Sequence, residues 1–491
     1  MAEQDQDYTF RDNLSTITEE GNRSWVYCKK PSGKYYKYRS VLASFLLLLF
    51  FTGPFITIDG DPLLLLNFVE RKFIFFGIIF WPQDFHLFVL SMITSIVFIV
   101  LFTVIFGRIF CGWICPQTIF MEFVFRQLEY LIEGNNSQQR KLDDQPWNAE
   151  KIFKKSIKHF IFFIISFLIA NVFLSYLLGF QEVKGLYVDG LHAHLGGFIG
   201  LVIFSGVFYF VFAKFREQVC IIVCPYGRLQ GVMLDRNSII VSYDYKRGEP
   251  KGKYNPLEDR KNAGKGDCIS CNSCVHVCPT GIDIRNGSQL ECINCTACID
   301  ACDAVMTRIN KRKGLIRYAS ERSIAEGTSL KLNARVVAYS IVLTGLLVLI
   351  GFLFTVRTSV EATVLRMPGT LFQQVDSAHY SNIYTLQVVN KTRKEIPVEI
   401  RLLSPEGELK RMGNVLVVKK GELGEASFLV VLAEELMEHK DNKVLFGIYN
   451  NGKLIEEAFS TFVGPEHVDK HKEKDNDHKD KDHEGKDQEK H

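Results

Sequence analysis

Three signatures of nucleotide or haem enzymes are missing from this chain of 491 residues. It contains no Walker lysine loop, no dinucleotide-binding glycine fingerprint and no Cys-x2-Cys-His attachment site for haem. It also lacks an excess of charge, because 58 Lys and Arg residues against 55 Asp and Glu residues leave a net charge of only +3. Such a balance predicts no nucleic-acid partner.

Cysteine is absent from everything after residue 302, although the chain has 13 cysteines. A chain of this length does not need a disulfide scaffold, and twelve of its cysteines fall into four tight motifs. The pattern indicates metal binding or redox chemistry.

Long apolar runs are plentiful and decide the class of the protein. Five are long enough to cross the hydrocarbon core of a bilayer, which takes about 20 residues of helix. They occupy roughly residues 38–58, 87–106, 159–180, 195–213 and 337–356. The first follows a long polar segment and lacks a small-residue cleavage site, so we interpret it as an anchor and not as a signal peptide. A shorter run, Phe73 to Trp81, precedes Pro82 and is expected to lie in the membrane interface.

The loops between the apolar runs differ in positive charge. Residues 107–158 contain eight Lys or Arg and residues 214–336 contain twenty, against two in residues 59–86 and one in residues 181–194. By the positive-inside rule the charge-rich loops are cytoplasmic. We therefore expect a bacterial inner-membrane protein whose N-terminus and cysteines lie inside and whose chain after about residue 357 lies in the periplasm.

The part after the last apolar run has the alternating pattern of β-strands. Apolar residues alternate strictly over 396–402, and similar runs at 383–389, 427–433 and 443–449 are separated by turn signals. Several short strands at this spacing predict a sandwich of about a hundred residues. Residues 467–491 consist largely of Lys, Asp, Glu and His, cannot bury a core, and are expected to be disordered.

The strongest chemical signal is a repeated cysteine run. Its copies are Cys268-x2-Cys271-x2-Cys274-x3-Cys278-Pro279 and Cys292-x2-Cys295-x2-Cys298-x3-Cys302. This is the spacing of bacterial two-cluster ferredoxins, in which the fourth cysteine of each run reaches the other cluster. We predict two 4Fe-4S clusters, one held by Cys268, Cys271, Cys274 and Cys302 and the other by Cys292, Cys295, Cys298 and Cys278. Zinc is the alternative, but it fits eight cysteines in this pattern less well.

One residue departs from that pattern. Asp303 stands where the second run usually carries proline. No ligand is lost, and the expected effect is on the solvation of the neighbouring cluster.

A second signal lies at the ends of two predicted spans. Both Cys111-x3-Cys115-Pro116 and Cys220-x3-Cys224-Pro225 stand at a cytoplasmic membrane boundary. A spacing of four places both sulfurs on one face of a helical turn, and proline disfavours helix in the residue before it. The motifs end corresponding helices of two hairpins, which indicates an internal duplication with four converging thiols. Arg108 and Arg216 lie just upstream, either as topology anchors or as groups that lower the pKa of the thiols.

What the four thiols hold stays open at this point. They suit a soft metal such as Cu(I), a further iron–sulfur centre, or a dithiol–disulfide couple, and buried free cysteines are the plain alternative. His192 and His194 are either ligands of a metal or quinone or polar residues of the interface. Asp59 and Asp61 are expected to be solvated turn residues. The histidines of the tail either bind Cu(II) or Zn(II) weakly or are merely solvated.

The order of these parts resembles the FixG/RdxA/CcoG family of cytochrome c oxidase accessory proteins over about residues 35–465. The Cys-x3-Cys-Pro motifs are also similar to those of NapH- and NosR-type electron-transfer proteins, which lack the same external sandwich. The resemblance implies an immunoglobulin-like fold for the sandwich, and Cys111, Cys115, Cys220 and Cys224 match the family's membrane cysteines. The implied role is assembly of a haem–copper oxidase by reducing Cu(II) to Cu(I), for delivery with a copper-transporting ATPase and copper chaperones.

The expected fold class is a polytopic α-helical membrane protein with five spans, a cytoplasmic two-cluster ferredoxin-like segment and an external immunoglobulin-like β-sandwich. Its parts are an N-terminal segment (1–37), a four-helix membrane domain (38–225), the ferredoxin-like domain (226–336), a fifth span (337–356), the sandwich (357–466) and the tail (467–491).

The leading hypothesis is a membrane metal reductase that takes electrons from a cytoplasmic donor and reduces copper at the Cys-x3-Cys-Pro motifs, in contact with lipid and oxidase subunits. The alternatives are a quinone-linked electron carrier to a periplasmic reductase and a non-enzymatic assembly scaffold.

Overall fold

The computed structural model describes residues 16–465 apart from short gaps. The gaps are residues 18–19, 21, 59, 69–71, 76–77, 81–83, 190–194, 261, 328–333, 359, 370, 393 and 438. The expectations for Asp59, for Trp81 and Pro82, for His192 and His194 and for the charged tail therefore fall outside the described residues. The chain divides into two compact units, Met1–Phe352 and Leu353–His491.

Five described helices are long and apolar enough to cross a membrane. They are Lys34–Phe55, Phe85–Phe106, Ala149–Leu178, Leu195–Phe215 and Ala334–Val356. Each contains one of the predicted apolar runs or most of it. The third helix begins well before its run, at the N-cap Asn148, whose side-chain oxygen accepts a hydrogen bond from the Lys151 amide (2.8 Å). Asparagine at this position satisfies a free amide of the first turn, so the polar residues before the apolar run join the helix.

Shorter helices follow the ends of the long ones. The α-helices are α1 (Lys34–Thr52), α2 (Phe85–Phe106), α3 (Ile109–Trp113), α4 (Pro116–Ile119), α5 (Arg126–Ile132), α6 (Asn136–Asp144), α7 (Ala149–Leu178), α8 (Phe180–Val188), α9 (Leu195–Phe210), α10 (Pro225–Met233), α11 (Tyr245–Gly248), α12 (Ser273–His276), α13 (Ala297–Arg308), α14 (Glu321–Glu326) and α15 (Ala334–Val356). Turns of π-helix occupy Phe120–Phe125, Val211–Phe215 and Val219–Val223. Such turns are frequent at functional sites.

The loop between the first two long helices contains strands. The pair β1 (Thr57–Ile58) and β2 (Asp61–Pro62) precedes a sheet of β3 (Leu64–Asn67), β4 (Lys72–Phe75) and β5 (Ile78–Phe80). Asp61 therefore lies in a strand and not in a turn. The sequence did not predict β3, β4 and β5 because their residues are almost continuously apolar, which removes the alternation that marks a strand.

The N-terminal and C-terminal edges of the ferredoxin segment are joined by an antiparallel pair, β6 (Ile240–Tyr243) and β7 (Ile316–Ala319). Between them, α12 contains Cys274, α13 contains Cys298 and Cys302, and the other five cysteines of the two runs lie outside these helices. Val241, Ile282, Ile299 and Met306 are buried in the core of this segment beside the cysteines.

The second unit is a two-sheet sandwich. Its strands are β8 (Val360–Arg366), β9 (Gln373–Asp376), β10 (His379–Asn390), β11 (Ile396–Ser404), β12 (Glu408–Met412), β13 (Leu416–Val418), β14 (Leu423–Ala433), β15 (Asp441–Asn450) and β16 (Lys453–Val463). One sheet has the order β12-β14-β10-β8, with β9 beside β10, and the other has the order β13-β11-β15-β16. The four predicted strands are present and are longer than predicted. Tyr384, Phe428 and Phe446 form the centre of the core, with ring centroids 5.4 to 5.6 Å apart.

Candidate metal and redox centre

The two ferredoxin-like cysteine runs fold alike. In each run, one left-handed residue stands two positions after the first cysteine (Ser270 and Asn294) and another directly after the second cysteine (Asn272 and Thr296). The last two also precede α12 and α13 as N-caps. Left-handed residues other than glycine are strained and persist where the surroundings fix them, as in ligand clamps. The structure therefore builds the same binding loop twice.

The fourth cysteine of each run faces the other run. Burial, followed by the neighbouring thiols of Cys274 and Cys271 from the first run, raises the pKa of Cys302 to about 12. Burial also raises the pKa of Cys292 to about 12, with Cys278 among the neighbouring thiols that add to the shift. The structure thus brings Cys302 to the first run and Cys278 to the second.

The cysteines around the second run line a small, largely apolar cavity. Its thiol-bearing residues are Cys274, Cys278, Cys292, Cys295 and Cys298. The described residues contain no group of three His, Cys, Asp or Glu side chains placed to bind one metal ion. Eight thiols in two matched loops, five of them lining one largely apolar cavity, fit 4Fe-4S clusters, in which each thiolate binds a different iron.

Asp303 has a structural role of its own. Its carboxylate accepts a hydrogen bond from the Gly314 amide (2.8 Å). In the first run the short α12 ends before Pro279, whereas α13 continues through residue 303 to Arg308. A proline inside that helix would remove a hydrogen bond and clash with the preceding turn, so the longer helix explains the departure from the usual pattern.

The two Cys-x3-Cys-Pro motifs share a backbone path. Each second cysteine is extended, with φ −56° and ψ 124° at Cys115 and φ −69° and ψ 113° at Cys224, and the next helix begins at the proline. Four residues before each first cysteine the chain takes nearly the same positive-φ conformation, at Gly107 (φ 59°, ψ −134°) and at Arg216 (φ 53°, ψ −122°). The matching conformations support an internal duplication. They also show that Arg216 corresponds to Gly107, not to Arg108.

The four thiols of these motifs lie together. Burial raises the pKa of Cys220 to about 12, and the next causes are the thiols of Cys115, Cys111 and Cys224. Gln230, which is fully buried on α10, holds its side-chain nitrogen 3.7 Å from the Cys111 sulfur. Sequence reasoning missed Gln230 because it stands five residues after Pro225, outside the motif.

Arg108 and Arg216 bind different partners. Arg108 is buried and donates to the carbonyl oxygens of Leu290 and Gly227, which ties the first motif to the ferredoxin segment and to the second motif. It acts to lower the pKa of Cys111, but burial outweighs it and raises that pKa to about 11. Arg108 therefore acts in the expected direction on the pKa of Cys111, although burial makes the net shift upward. Arg216 instead forms a two-pronged ion pair with Glu129, at 3.0 and 2.9 Å.

The first motif rests directly on the second ferredoxin-like run. A Cβ at Gly112 would overlap the carbonyl oxygen of Ile293 and stand 3.0 Å from the Cα of Cys295. Cys111 packs against the small core formed around the same loop. The thiol quartet, which we define as Cys111, Cys115, Cys220 and Cys224, is therefore adjacent to the candidate cluster loop without an intervening layer of side chains at Gly112.

A buried ionic network borders the quartet. Arg126 pairs with Glu122 and with Glu217 (3.5 Å) and donates to the carbonyl oxygen of Pro279 (2.9 Å), the residue after Cys278. All three charged side chains are nearly inaccessible to solvent. The network thus holds the membrane helices against the ferredoxin segment.

The thirteenth cysteine belongs to the same region. Cys28 is buried, and its thiol lies 2.8 Å from the carbonyl oxygen of Cys278. The Lys29 amide also donates to the His276 carbonyl (2.8 Å), so the N-terminal segment packs on the end of the first run. Sequence reasoning missed Cys28 because it stands outside any motif.

Comparison with known proteins gives the family. Protein RdxA of Cereibacter sphaeroides is 33% identical over 345 residues, covering 68% of this chain and 72% of RdxA. Protein RdxB of the same species is 34% identical over 410 residues, covering 80% of this chain and 84% of RdxB. Nitrogen fixation protein FixG of Rhizobium meliloti is 34% identical over 314 residues, covering 63% of this chain and 59% of FixG. The chain belongs to the FixG/RdxA family.

Three family descriptions map onto the parts of this FixG/RdxA-family chain. Residues 215–321 match a 4Fe-4S dicluster domain, residues 88–134 a 4Fe-4S binding domain, and residues 350–465 the IG-like fold at the C-terminus of FixG. A crystal structure of a FixG-related protein from Vibrio parahaemolyticus aligns with 22% of this chain and 97% of its own at 20% identity, with a TM-score of 0.18. The chain is a membrane iron–sulfur protein of electron transport with an immunoglobulin-like C-terminal domain.

Proposed function

We propose that this protein reduces Cu(II) to Cu(I) at the thiol quartet during assembly of a haem–copper oxidase. The observation that carries the proposal is the close approach of Gly112 to Ile293 and Cys295, which joins the quartet to the ferredoxin-like loop. The proposal assigns copper to the quartet and single electrons to the ferredoxin-like loop, and both groups of cysteines belong to one compact unit.

The eight ferredoxin-like cysteines would hold the two clusters. Cys268, Cys271, Cys274 and Cys302 form one ligand set, and Cys292, Cys295, Cys298 and Cys278 form the other. When bound, 4Fe-4S clusters accept and donate single electrons, which matches the one-electron reduction of Cu(II) to Cu(I). The burial of Cys295 and of Ile293 keeps bulk water from the contact with the quartet.

The quartet supplies ligands suited to the product. Thiolates favour Cu(I) as soft ligands, so binding at Cys111, Cys115, Cys220 and Cys224 helps to drive the reduction. Burial raises the pKa of Cys111 to about 11 and that of Cys220 to about 12, so both thiols are protonated at neutral pH before metal binds. Copper binding must therefore release protons, because the thiolate is the metal ligand.

A third iron–sulfur centre is the second candidate for the quartet. The match to a 4Fe-4S binding domain over residues 88–134 includes Cys111 and Cys115, which favours it. Iron and acid-labile sulfide analysis separates the two cases. Two clusters give about eight iron atoms per chain, and loss of about four on replacing the quartet with serine would assign a cluster to it.

The proposed function also includes an orientation in the membrane and a set of partners. The Lys and Arg of residues 107–158 and 214–336 support a cytoplasmic ferredoxin segment and a periplasmic sandwich in the inner membrane. A cytoplasmic donor would then supply electrons. A copper-transporting ATPase and copper chaperones would share the delivery of Cu(I), and the sandwich would be available to oxidase subunits.

The test is anaerobic reduction of Cu(II) by chemically pre-reduced protein, read with a Cu(I)-specific chelator. The test variant replaces the four quartet cysteines with serine, and Cys28→Ser is the control because Ser retains a donor for the Cys278 carbonyl. EPR must show the ferredoxin-like clusters in all samples. Loss of Cu(I) formation only in the quartet variant supports the proposal. Absence of reduction in every sample, the wild type included, rejects it.

A further inference from the structure

We propose that residues 246–260 and 262–265, together with residues 311–313, form a docking face for a small acidic one-electron carrier. We call these residues the basic face. The inference deepens the proposed function by naming the class of its cytoplasmic donor, and it rests on that function only in requiring electrons from the cytoplasmic side.

One end of the ferredoxin segment is open to solvent at the first cysteine run. Cys271 is exposed, whereas the other seven ferredoxin-like cysteines are buried or half-buried. The neighbouring Asn272 is also exposed. A protein carrier can therefore come closest to the candidate cluster sites at the first run.

The basic face is attached directly to that run. The Gly252 amide donates to the carbonyl oxygen of Cys268 (3.2 Å), and the Cys268 amide donates to the Gly248 carbonyl (3.3 Å). The buried Arg260 also donates to the Cys268 carbonyl (2.9 Å) and holds the Gly266 carbonyl (2.6 Å). An irregular loop of this length is uncommon unless it is functional, and here a buried arginine fixes it against a predicted cluster ligand.

Positive charge dominates the face. Its described residues include nine Lys or Arg against three Asp or Glu. Of the nine, Arg260 is buried, and Arg247 (2.6 Å) and Lys311 (3.9 Å) pair with the adjacent Asp267. Lys246, Lys251 and Lys253 are exposed. The guanidinium of Arg247 donates to the carbonyl oxygens of Lys313 (3.0 Å) and Arg312, which brings those two exposed residues to the same face.

The acidic residues of the face offset only part of this charge. Glu249 pairs with Lys251 (3.4 Å), and Glu258 pairs with Lys265 (2.5 Å). Asp259 is the third acidic residue of the face. The excess of basic groups predicts attraction of a negatively charged partner.

Apolar side chains stand exposed among these charges. Leu257 is 96% exposed and Tyr254 is 44% exposed. Protein interfaces combine an apolar centre with a polar rim, and a charged rim of one sign steers an oppositely charged partner. The surface therefore fits a small acidic ferredoxin or flavodoxin. In the transfer, the carrier loses one electron and this protein gains one, with no bond formed or broken.

The test uses the full chain in nanodiscs of neutral lipid with a photoreduced acidic plant-type ferredoxin as the probe. Stopped-flow absorbance gives the second-order rate of reduction of the protein, and titration with oxidised ferredoxin gives its affinity. The variant is Lys251→Glu with Lys253→Glu. The matched control is Lys141→Glu with Lys154→Glu, which makes the same charge change on α6 and α7.

We expect the variant to lose about tenfold or more in rate and affinity at low salt, with EPR spectra and cluster potentials unchanged, and the control to behave as wild type. Rates that are equal in variant and control across ionic strength overturn the proposal. So does an unchanged ferredoxin rate combined with lost binding to phosphatidylglycerol vesicles, which would assign the lysines to an anionic membrane. Neither readout involves copper, so failure of the cupric reductase assay leaves this result separately interpretable.

Discussion

The carbonyl oxygen of Ile293 occupies the space that a side chain on Gly112 would need. Glycine at this position lets the first Cys-x3-Cys-Pro motif touch the second ferredoxin-like loop. This single contact joins the two cysteine systems of the chain.

Gly112→Ala is expected to push the two loops apart. The added methyl group meets backbone atoms, which cannot rotate away, at a cost of about 1–3 kcal/mol. Pre-reduced variant protein should form Cu(I) more slowly while its iron content is retained. Gly206→Ala on α9 is the matched control, because a Cβ there meets nothing within 4 Å. Wild-type Cu(I) kinetics in Gly112→Ala would show that the contact is not needed.

Glu129→Gln is expected to destabilise the first unit strongly. The substitution leaves the buried Arg216 guanidinium without its two-pronged partner, and breaking a buried pair from one side costs about 3–5 kcal/mol. Thermal unfolding of the purified protein in detergent measures the loss. Glu326→Gln, which breaks the exposed pair with Arg322, should leave the unfolding temperature almost unchanged. Equal losses of unfolding temperature in the two variants would mean that the buried pair stabilises the protein no more than the exposed pair does.

The sequence predicted the parts of this protein better than the contacts between them. Apolar runs and strand alternation located the long helices and the sandwich because burial leaves a periodic pattern. The left-handed Ser270 and Asn294 were not visible in the spacing of cysteines, and neither was the pairing of Arg216 with Glu129, which lie far apart in the chain. Such long-range contacts depend on tertiary packing and leave no local periodicity.

The contact of Cys28 also could not be predicted from the local sequence. It sits in a polar N-terminal segment, and only the fold places its thiol against the Cys278 carbonyl. The sequence could not predict the direction of the pKa shift at Cys111 either. Arg108 lowers that pKa, but burial raises it by more, and burial depends on the fold.

Phe446→Ala is expected to unfold the sandwich locally. The ring is fully buried between Tyr384 and Phe428, and truncating a buried phenylalanine costs about 3–5 kcal/mol. Hydrogen exchange by mass spectrometry should show faster exchange in β10, β14 and β15. Phe459→Ala, at a side chain that is 69% exposed, serves as the comparison and should exchange like wild type. Protection of all three strands in Phe446→Ala would contradict the assigned core.

Glu456→Gln is expected to stabilise the sandwich at neutral pH. Burial, with help from Glu361, raises the pKa of Glu456, although its carboxylate accepts a hydrogen bond from the Ala362 amide (2.6 Å). A raised carboxyl pKa means that the folded state binds the proton more tightly, so stability falls as pH rises from the unfolded pKa of about 4.3 through the folded value.

The stability gain of Glu456→Gln over the wild type should therefore be present at pH 7 and vanish near pH 4. Unfolding temperatures of the second unit across this range give the comparison, and Glu457→Gln, at an exposed carboxyl, is the control. If the stability gain of Glu456→Gln grows as pH falls, folding lowers the pKa of Glu456 and does not raise it.

The most direct test of the central claim is a single stopped-flow experiment. Pre-reduced protein is mixed with Cu(II) under anaerobic conditions, and cluster absorbance and Cu(I)–chelator absorbance are followed together. In the wild type, cluster reoxidation and Cu(I) formation should proceed at one rate and in equal electron counts. The variant with serine at Cys111, Cys115, Cys220 and Cys224 should keep its clusters reduced and form no Cu(I). Reoxidation of that variant at the wild-type rate would contradict the assignment of copper reduction to the quartet.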